Sequence, residues 1–200
     1  MIKLLFKILF LCGLILSGCG EEIREPVVKT VIDNEAEESA ERIETEMSPT
    51  VAEGVEVSLW ASEDLLSDAI GLDVDDQGRV YVSITERRRN SELDIRPHPD
   101  WMIASIGLET AQDKLDFIHQ RLAPENSDQN EWITDINEDG SHDYRDLAIN
   151  SESALMLEDL TGNARANKST ELVREFSEEN TDVAGAVMMH DGDATWLHIF

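Results

Sequence analysis

The chain has 200 residues, with 43 acidic and 16 basic side chains and a formal charge of −27. A field of that sign argues against nucleic acid as a partner, because phosphates need a basic surface, and it makes cations the natural counterpart. Much of the charge serves a solvated, self-repelling surface.

The first residues, MIKLLFKILFLCGLILSGC, read as an export signal. Lys3 and Lys7 form a positive n-region, and Ile8 to Leu16 form an apolar core too short to span a bilayer comfortably. The segment ends in Leu16-Ser17-Gly18-Cys19, which resembles a bacterial lipobox, with Cys19 as the lipidated residue. Residues 1–18 are then a signal peptide, and removing their two lysines takes the formal charge from −27 to −29. Cys12 leaves with the leader, so the mature chain has no disulfide, zinc cluster or free thiol nucleophile. The expected address is the cell envelope, with the membrane reached through the lipid anchor. Gly20 is not the aspartate that commonly retains lipoproteins at the inner membrane, so the outer membrane is favoured.

Residues 20–53 carry eleven acids, three basic residues and no aromatic. Such a segment buries too little apolar area to offset its ordering entropy, so residues 19–53 are expected to be a disordered acidic tether. Within it EAEESAERIETE has helical propensity but a thin apolar stripe. Order is expected from residue 54 to residue 200. Val55, Val57 and Leu59 alternate with polar residues as in a strand with one buried face. Ile70, Leu72 and Val74 alternate, Asp75-Asp76-Gln77-Gly78 turns, and Val80, Val82 and Ile84 alternate back, which predicts a hairpin. The period then changes. Leu108, Ala111, Leu115, Ile118 and Leu122 share one helical face, Thr110 and Asp113 resemble a capping box, and Pro124 ends the helix. Near the far end AGAVMMH and ATWLHIF flank Asp191-Gly192-Asp193 as a second hairpin.

The stretch VAEGVEVSLWASEDLLSDAIGLDVDDQGRVYVSIT resembles the opening of large six-bladed β-propellers similar to glucose/sorbosone dehydrogenases, also called membrane-bound dehydrogenase domains. LETAQDKLDFIHQRLAPENS, DINEDGSHDYRDL and TDVAGAVMMHDGD continue the likeness, which runs from Val51 to about Asp193. The resemblance implies an all-β fold, a partial propeller of antiparallel hairpins with one inserted helix, cut short at Phe200. It further implies a pyrroloquinoline-quinone (PQQ) cofactor, a sugar or alcohol substrate, and a downstream cytochrome c domain whose CxxCH motif this chain lacks. The fragment alone is expected to be inactive. The alternative is a non-catalytic envelope propeller that binds glycan or protein partners.

Two aspartate-rich stretches stand out. In DINEDGSHDYRDL, Asp135, Asn137 and Asp139 take the first, third and fifth loop positions and Gly140 the sixth. Ser141 can offer its carbonyl, and Asp143 or Asp146 can complete a shell of hard oxygen ligands, a pattern that suits a structural calcium ion. Asp146 in place of the twelfth-position glutamate makes an EF-hand improbable, and a surface turn that binds nothing is the other reading. In LEDLTGNARANKS, where the resembled propellers usually read D-x-D-G-D-G-x-x-D, Asp159, Thr161, Asn163 and Asn167 keep oxygen-bearing side chains. Ala164 replaces the glycine, which weighs against the sharp turn.

Five histidines, His98, His119, His142, His190 and His198, are candidates for the base that takes a hydroxyl proton in such dehydrogenases; none lies in a matching motif. His142 reads as a solvated neighbour of the first acidic loop. Arg87-Arg88-Arg89 reads as a solvated loop, or within the resembled family as a run facing an anionic ligand. Trp60, Trp101, Trp132 and Trp196 read as packing before sugar platforms. No GxSxG, HExxH, Walker or GxGxxG motif is present.

Overall fold

The computed structural model describes residues 25–87, 91–181 and 183–198. The leader with Cys19, together with Arg88, Arg89 and Phe200, lies outside the described residues, as do the side chains of Trp196 and His198.

The hairpin expected at residues 70–84 forms as β2 (Ala69–Val74) and β3 (Val80–Thr85). Asp75 organises its turn: one carboxylate oxygen accepts from the amides of Gln77 and Arg79 (2.9 Å each), and the other from Arg79 Nε (2.6 Å). Gly78 takes φ +76°, which the absence of a Cβ permits. The chain continues through β4 (Glu152–Glu158) and β5 (Lys168–Phe176), both antiparallel to their neighbours. A short β1 (Val28–Thr30) pairs with the far side of β5, giving a five-stranded sheet of order β1-β5-β4-β3-β2. The C-terminal hairpin forms as β6 (Ala184–His190) and β7 (Asp193–His198), joined by Asp191 and Gly192, both at positive φ. That turn type matches the twist of the strands it connects. The described residues are therefore mostly antiparallel sheet with a few helices, consistent with the all-β class.

The two sheets meet where side chains are smallest. A Cβ on Gly71 of β2 would lie 3.3 Å from the Ala186 Cα of β6, so this glycine permits the close approach. Two carboxylates then stitch the sheets. Asp73 accepts from the Met189 amide (2.7 Å), and Glu152 accepts from the Ala184 amide (2.8 Å). Asp73 is held below the usual carboxylate range by the Met189 amide first and the Val74 amide second.

Two cores lie apart. One covers the first sheet with Leu65, Val82, Ile84, Leu157 and Ala166. The other belongs to a helical insert between β3 and β4, built from Trp101, Phe117, Ile118, Leu122, Ile133 and Leu147. Each fully buried leucine contributes about 1.5–3 kcal/mol, so each cluster is a substantial apolar unit. The insert holds α2 (Pro99–Ile106) and α3 (Ala111–Arg121). The capping box read at Thr110 and Asp113 is present, with the Thr110 hydroxyl accepting from the Asp113 amide (3.1 Å). Ile118 and Leu122 sit in the core as the helical period predicts. Pro124 ends α3 and also opens a 3-10 turn, Pro124–Gln129.

Four expectations are corrected. First, residues 25–53 are not a disordered tether, since they contain β1 and α1 (Asp33–Met47). Ala40 is the buried residue of α1, so its apolar stripe is indeed thin. The helix docks through its acids instead. Asp33 accepts from Asn167 Nδ2 (2.7 Å), and Glu44 accepts from the Leu59 amide (2.6 Å) and Arg165 (3.3 Å). Second, there are three α-helices and two 3-10 turns among the described residues, against the single inserted helix expected. Third, residues 55–59 make no strand, and Val55 and Val57 are exposed. Fourth, the apolar face of β2 is open, with Leu72 at 66% exposure and Val74 at 51%. Gly71 and Asp73, on the other face, are the residues that β6 covers.

Candidate functional site

The first aspartate-rich stretch closes as a tight turn. Asp135 accepts from the amides of Asp139 (3.2 Å) and Gly140 (2.9 Å) through separate oxygens. Asn137 accepts from the Asp139 amide (2.9 Å), and Asp139 from the Ser141 amide (2.9 Å). Glu138 and Gly140 take positive φ. The structure thus brings Asp135, Asn137 and Asp139 together as the spacing predicts. Asp143 and Asp146 have a different employment. They form a capping box on the 3-10 turn Tyr144–Ala148, and both are fully buried. Asp146 also accepts from the amides of Ile136 (2.9 Å) and Asn137 (3.3 Å), which fixes the start of the loop to that turn.

A cation is already present in the form of Arg145. Its guanidinium reaches Asp143 through two nitrogens (2.9 and 2.5 Å) and Asp139 through a third (2.7 Å). Arg145 beside it holds the Asp143 carboxyl down to about 2, against the opposing effect of burial. The same pairing raises Arg145 above its ordinary value. Among the described residues, no group of three or more His, Cys, Asp or Glu side chains is placed to hold a metal ion.

The second stretch adopts the same turn. Asp159 accepts from the amides of Thr161 (3.1 Å), Gly162 (2.7 Å) and Ala164 (2.9 Å). Gly162 and Ala164 take positive φ, so the alanine does not prevent the turn that its sequence position argued against. Burial pushes the Asp159 carboxyl up, but the amides of Gly162 and Ala164 outweigh it and the carboxyl sits low. Asn167 accepts from the Leu160 amide (3.0 Å) and donates to Asp33 of α1 (2.7 Å). This turn is braced by neutral groups and by a neighbouring helix.

Two buried charged residues were not legible in the sequence. Arg87 is 1% exposed and not a solvated loop residue. It donates to Thr181 Oγ1 (2.9 Å), the Leu147 carbonyl (3.1 Å) and the Glu178 carbonyl (3.3 Å). It thereby fastens the insert and the β5–β6 connection to the end of β3. Glu152, also 1% exposed, accepts from Thr85 Oγ1 (2.6 Å), and Thr85 Oγ1 in turn accepts from the Arg87 amide (3.2 Å). The available signal was an acid opening an otherwise apolar strand at Glu152.

Three of the histidines, His98, His119 and His142, serve packing. His142 is half-buried, with Nδ1 at 2.7 Å from the Ile133 carbonyl, and is not a solvated neighbour. His119 contacts the Glu179 carboxylate and lies tilted against the Tyr144 ring. His98 stacks on Trp101 with ring centroids 4.3 Å apart. His190 is exposed beside Asp191. Trp101 lies in the insert core, and Trp60 packs against the core of the first sheet.

Residues 37–149 match the family described as "Domain of unknown function (DUF7133)", which is more than half of the chain. The chain belongs to that family. The DUF7133 match takes in α1 from residue 37 onward, the β2–β3 hairpin, the helical insert and the Asp135 turn, and it ends before the Asp159 turn. No curated protein and no solved structure matches the chain.

Proposed function

We propose that this chain is the N-terminal part of a lipid-anchored envelope β-propeller similar to the glucose/sorbosone dehydrogenases, supplying scaffold and not chemistry. The observation that carries the reading is topological. β2 to β5 form a four-stranded antiparallel meander in sequence order, and the next strands, β6 and β7, start a second sheet against its first two strands. Successive four-stranded meanders packed face to face are the repeating unit of a propeller. In that arrangement the open edge of β2 lies nearest the axis. A site there borrows groups from several blades, so these strands alone surround no cofactor.

The quinone cofactor and the sugar or alcohol substrate belong to the proposal through resemblance alone, since a fold licenses no activity by itself. No residue of this chain is assigned to either. An experimental structure of the whole natural protein tests the fold: sheets succeeding one another around an axis support it, and a closed two-sheet sandwich overturns it. Sugar-dependent dye reduction with added quinone and calcium tests the chemistry. Turnover by this chain alone would show a complete site and sink the scaffold reading. The anchor is tested separately, by Cys19→Ala, which is expected to abolish incorporation of labelled palmitate.

Calcium at the Asp135 turn is part of the same proposal and has a stated obstacle. The oxygens of Asp135, Asn137 and Asp139 suit calcium chemically, but Asp139 is paired with Arg145 and Asp143 and Asp146 are committed to the capping box. Binding therefore requires the guanidinium to leave. Arg145→Gln is expected to tighten calcium binding measured by calorimetry; weaker binding in the variant counts against a calcium site.

A further inference from the structure

We propose that the helical insert carries a binding site for a neutral, hydroxyl-rich ligand of the size of one or two sugar rings. The site is a cleft of about 440 Å³ between the start of α2, the end of α3 and the 3-10 turn that follows it. That volume falls in the range of small-molecule sites. The proposal does not depend on the propeller reading, because every lining residue belongs to the insert.

The chemistry of the walls selects the ligand. Four residues with side-chain amides, Gln120, Asn126, Gln129 and Asn130, line the cleft. Asn126 and Asn130 donate to the last carbonyls of α3, at Gln120 (3.2 Å) and Arg121 (3.1 Å), which orients the two amides and leaves their carbonyl oxygens as acceptors. The side-chain amides of Gln120 and Gln129 make no hydrogen bond among the described residues, and each offers a donor and an acceptor. A hydroxyl both donates and accepts, so adjacent hydroxyls on a ring are the group that such a mixed wall satisfies.

Charge rules out the simpler ligands. Arg121 faces the cleft, but the Asp100 carboxylate lies 4.0 Å away and offsets it. The chain's charge of −27 further repels anions, and the cleft's one carboxylate, Asp100, already lies beside Arg121 and falls short of the oxygen shell a metal cation takes. A second observation points to the same place. His98 Nε2 and Arg121 Nε are buried without a hydrogen-bond partner, and both residues line this cleft. Buried polar atoms are nearly always paired, and both nitrogens are closed to solvent as placed, so a bound group pairs them only when the His98 or Arg121 side chain turns toward it. Trp101 gives no stacking platform, because His98 stacks on it and the Arg121 guanidinium lies over its ring. Recognition by hydrogen bonds at an open cleft, without a stacked ring, gives weak affinity, on the order of millimolar.

The test is an NMR titration of the full chain with methyl glucoside, cellobiose and myo-inositol, with sulfate as the anionic comparison. Saturable shifts at residues 98–101 and 120–130 with at least one polyol are expected, weakened tenfold or more in Gln120→Ala/Gln129→Ala. Both side chains are exposed, so the spectrum elsewhere is expected to be unchanged; if the double variant unfolds, Gln129→Ala alone gives the same reading. No saturable shift with any polyol, a polyol response that the substitutions leave intact, or tighter binding of sulfate than of every polyol overturns the proposal.

Discussion

Asp135 and Asp159 each accept a hydrogen bond from the amide five residues on, Gly140 in one turn and Ala164 in the other, at 2.9 Å in both. In both turns the fourth and sixth residues take positive φ: Glu138 and Gly140 in the first, Gly162 and Ala164 in the second. The glycine has changed places with an ordinary residue, and the backbone is unchanged. An aspartate at the first position, accepting several amides, therefore does more to define this turn than glycine at the sixth. The turns differ in what braces them. The first holds its acids around one guanidinium, whereas the second leans on Asn167 and on Asp33 of α1. The first is thus ordered around a cation, whereas the second, with the carboxylates of Asp159 and Asp33, is held by uncharged donors.

Removing the key carboxylate from each turn separates these descriptions most strongly. Asp143 is fully buried, pairs with Arg145 and caps the following 3-10 turn. Asp143→Ala is expected to cost about 3 kcal/mol, since it strands a charge and an amide together. Asp159→Ala frees amides that are largely exposed and can take water, so it is expected to cost only about 1 kcal/mol. Urea unfolding of the two variants measures both. Equal costs, or the reverse order, would break the contrast between the turns.

Local features were the legible ones. The β2–β3 hairpin and the Thr110–Asp113 capping box are each written within a few residues, and both formed where the sequence placed them. The Asp135 turn was legible for the same reason, whereas the pairing of Arg145 with Asp139 and Asp143 depends on how the stretch folds back on itself. What failed needed distant partners. Val55, Val57 and Leu59 alternate correctly, but alternation describes one face and does not supply a neighbouring strand. α1 looked undockable because its apolar stripe is thin, and its anchors Asn167 and Arg165 lie more than 120 residues away. Arg87 looked solvated because the carbonyl of Leu147 that receives it is 60 positions downstream.

Acid sharpens the comparison further. The Asp143 carboxyl titrates near 2 in the folded chain against an ordinary 3.8, so the unfolded chain takes up its proton first as pH falls. Its contribution is full above about pH 4, worth about 2 kcal/mol, and is lost as pH falls from there through about 2. Asp143→Asn is expected to flatten that part of the stability curve, followed by denaturant titration at several pH values. Asp159 is also held low and gives the same sign. An acid limb as steep in Asp143→Asn as in the parent chain would place the titrating group elsewhere.

The smallest effect tests the glycine exchange itself. A Cβ at Gly140 meets nothing within 4 Å, so Gly140→Ala costs only the positive φ of +84°, about 1 kcal/mol. Ala164 already carries that strain at +65°. Ala164→Gly relieves it but raises the entropy of the unfolded chain, so the two terms nearly cancel and the net change is expected to stay within about 0.5 kcal/mol. If both turns share one backbone, Gly140→Ala must still form its turn, seen as an unchanged amide spectrum for residues 135–146. A loss of that pattern would mean that the first turn depends on glycine in a way the second does not. The likeness between them would then be geometric coincidence and not a common rule set by the leading aspartate.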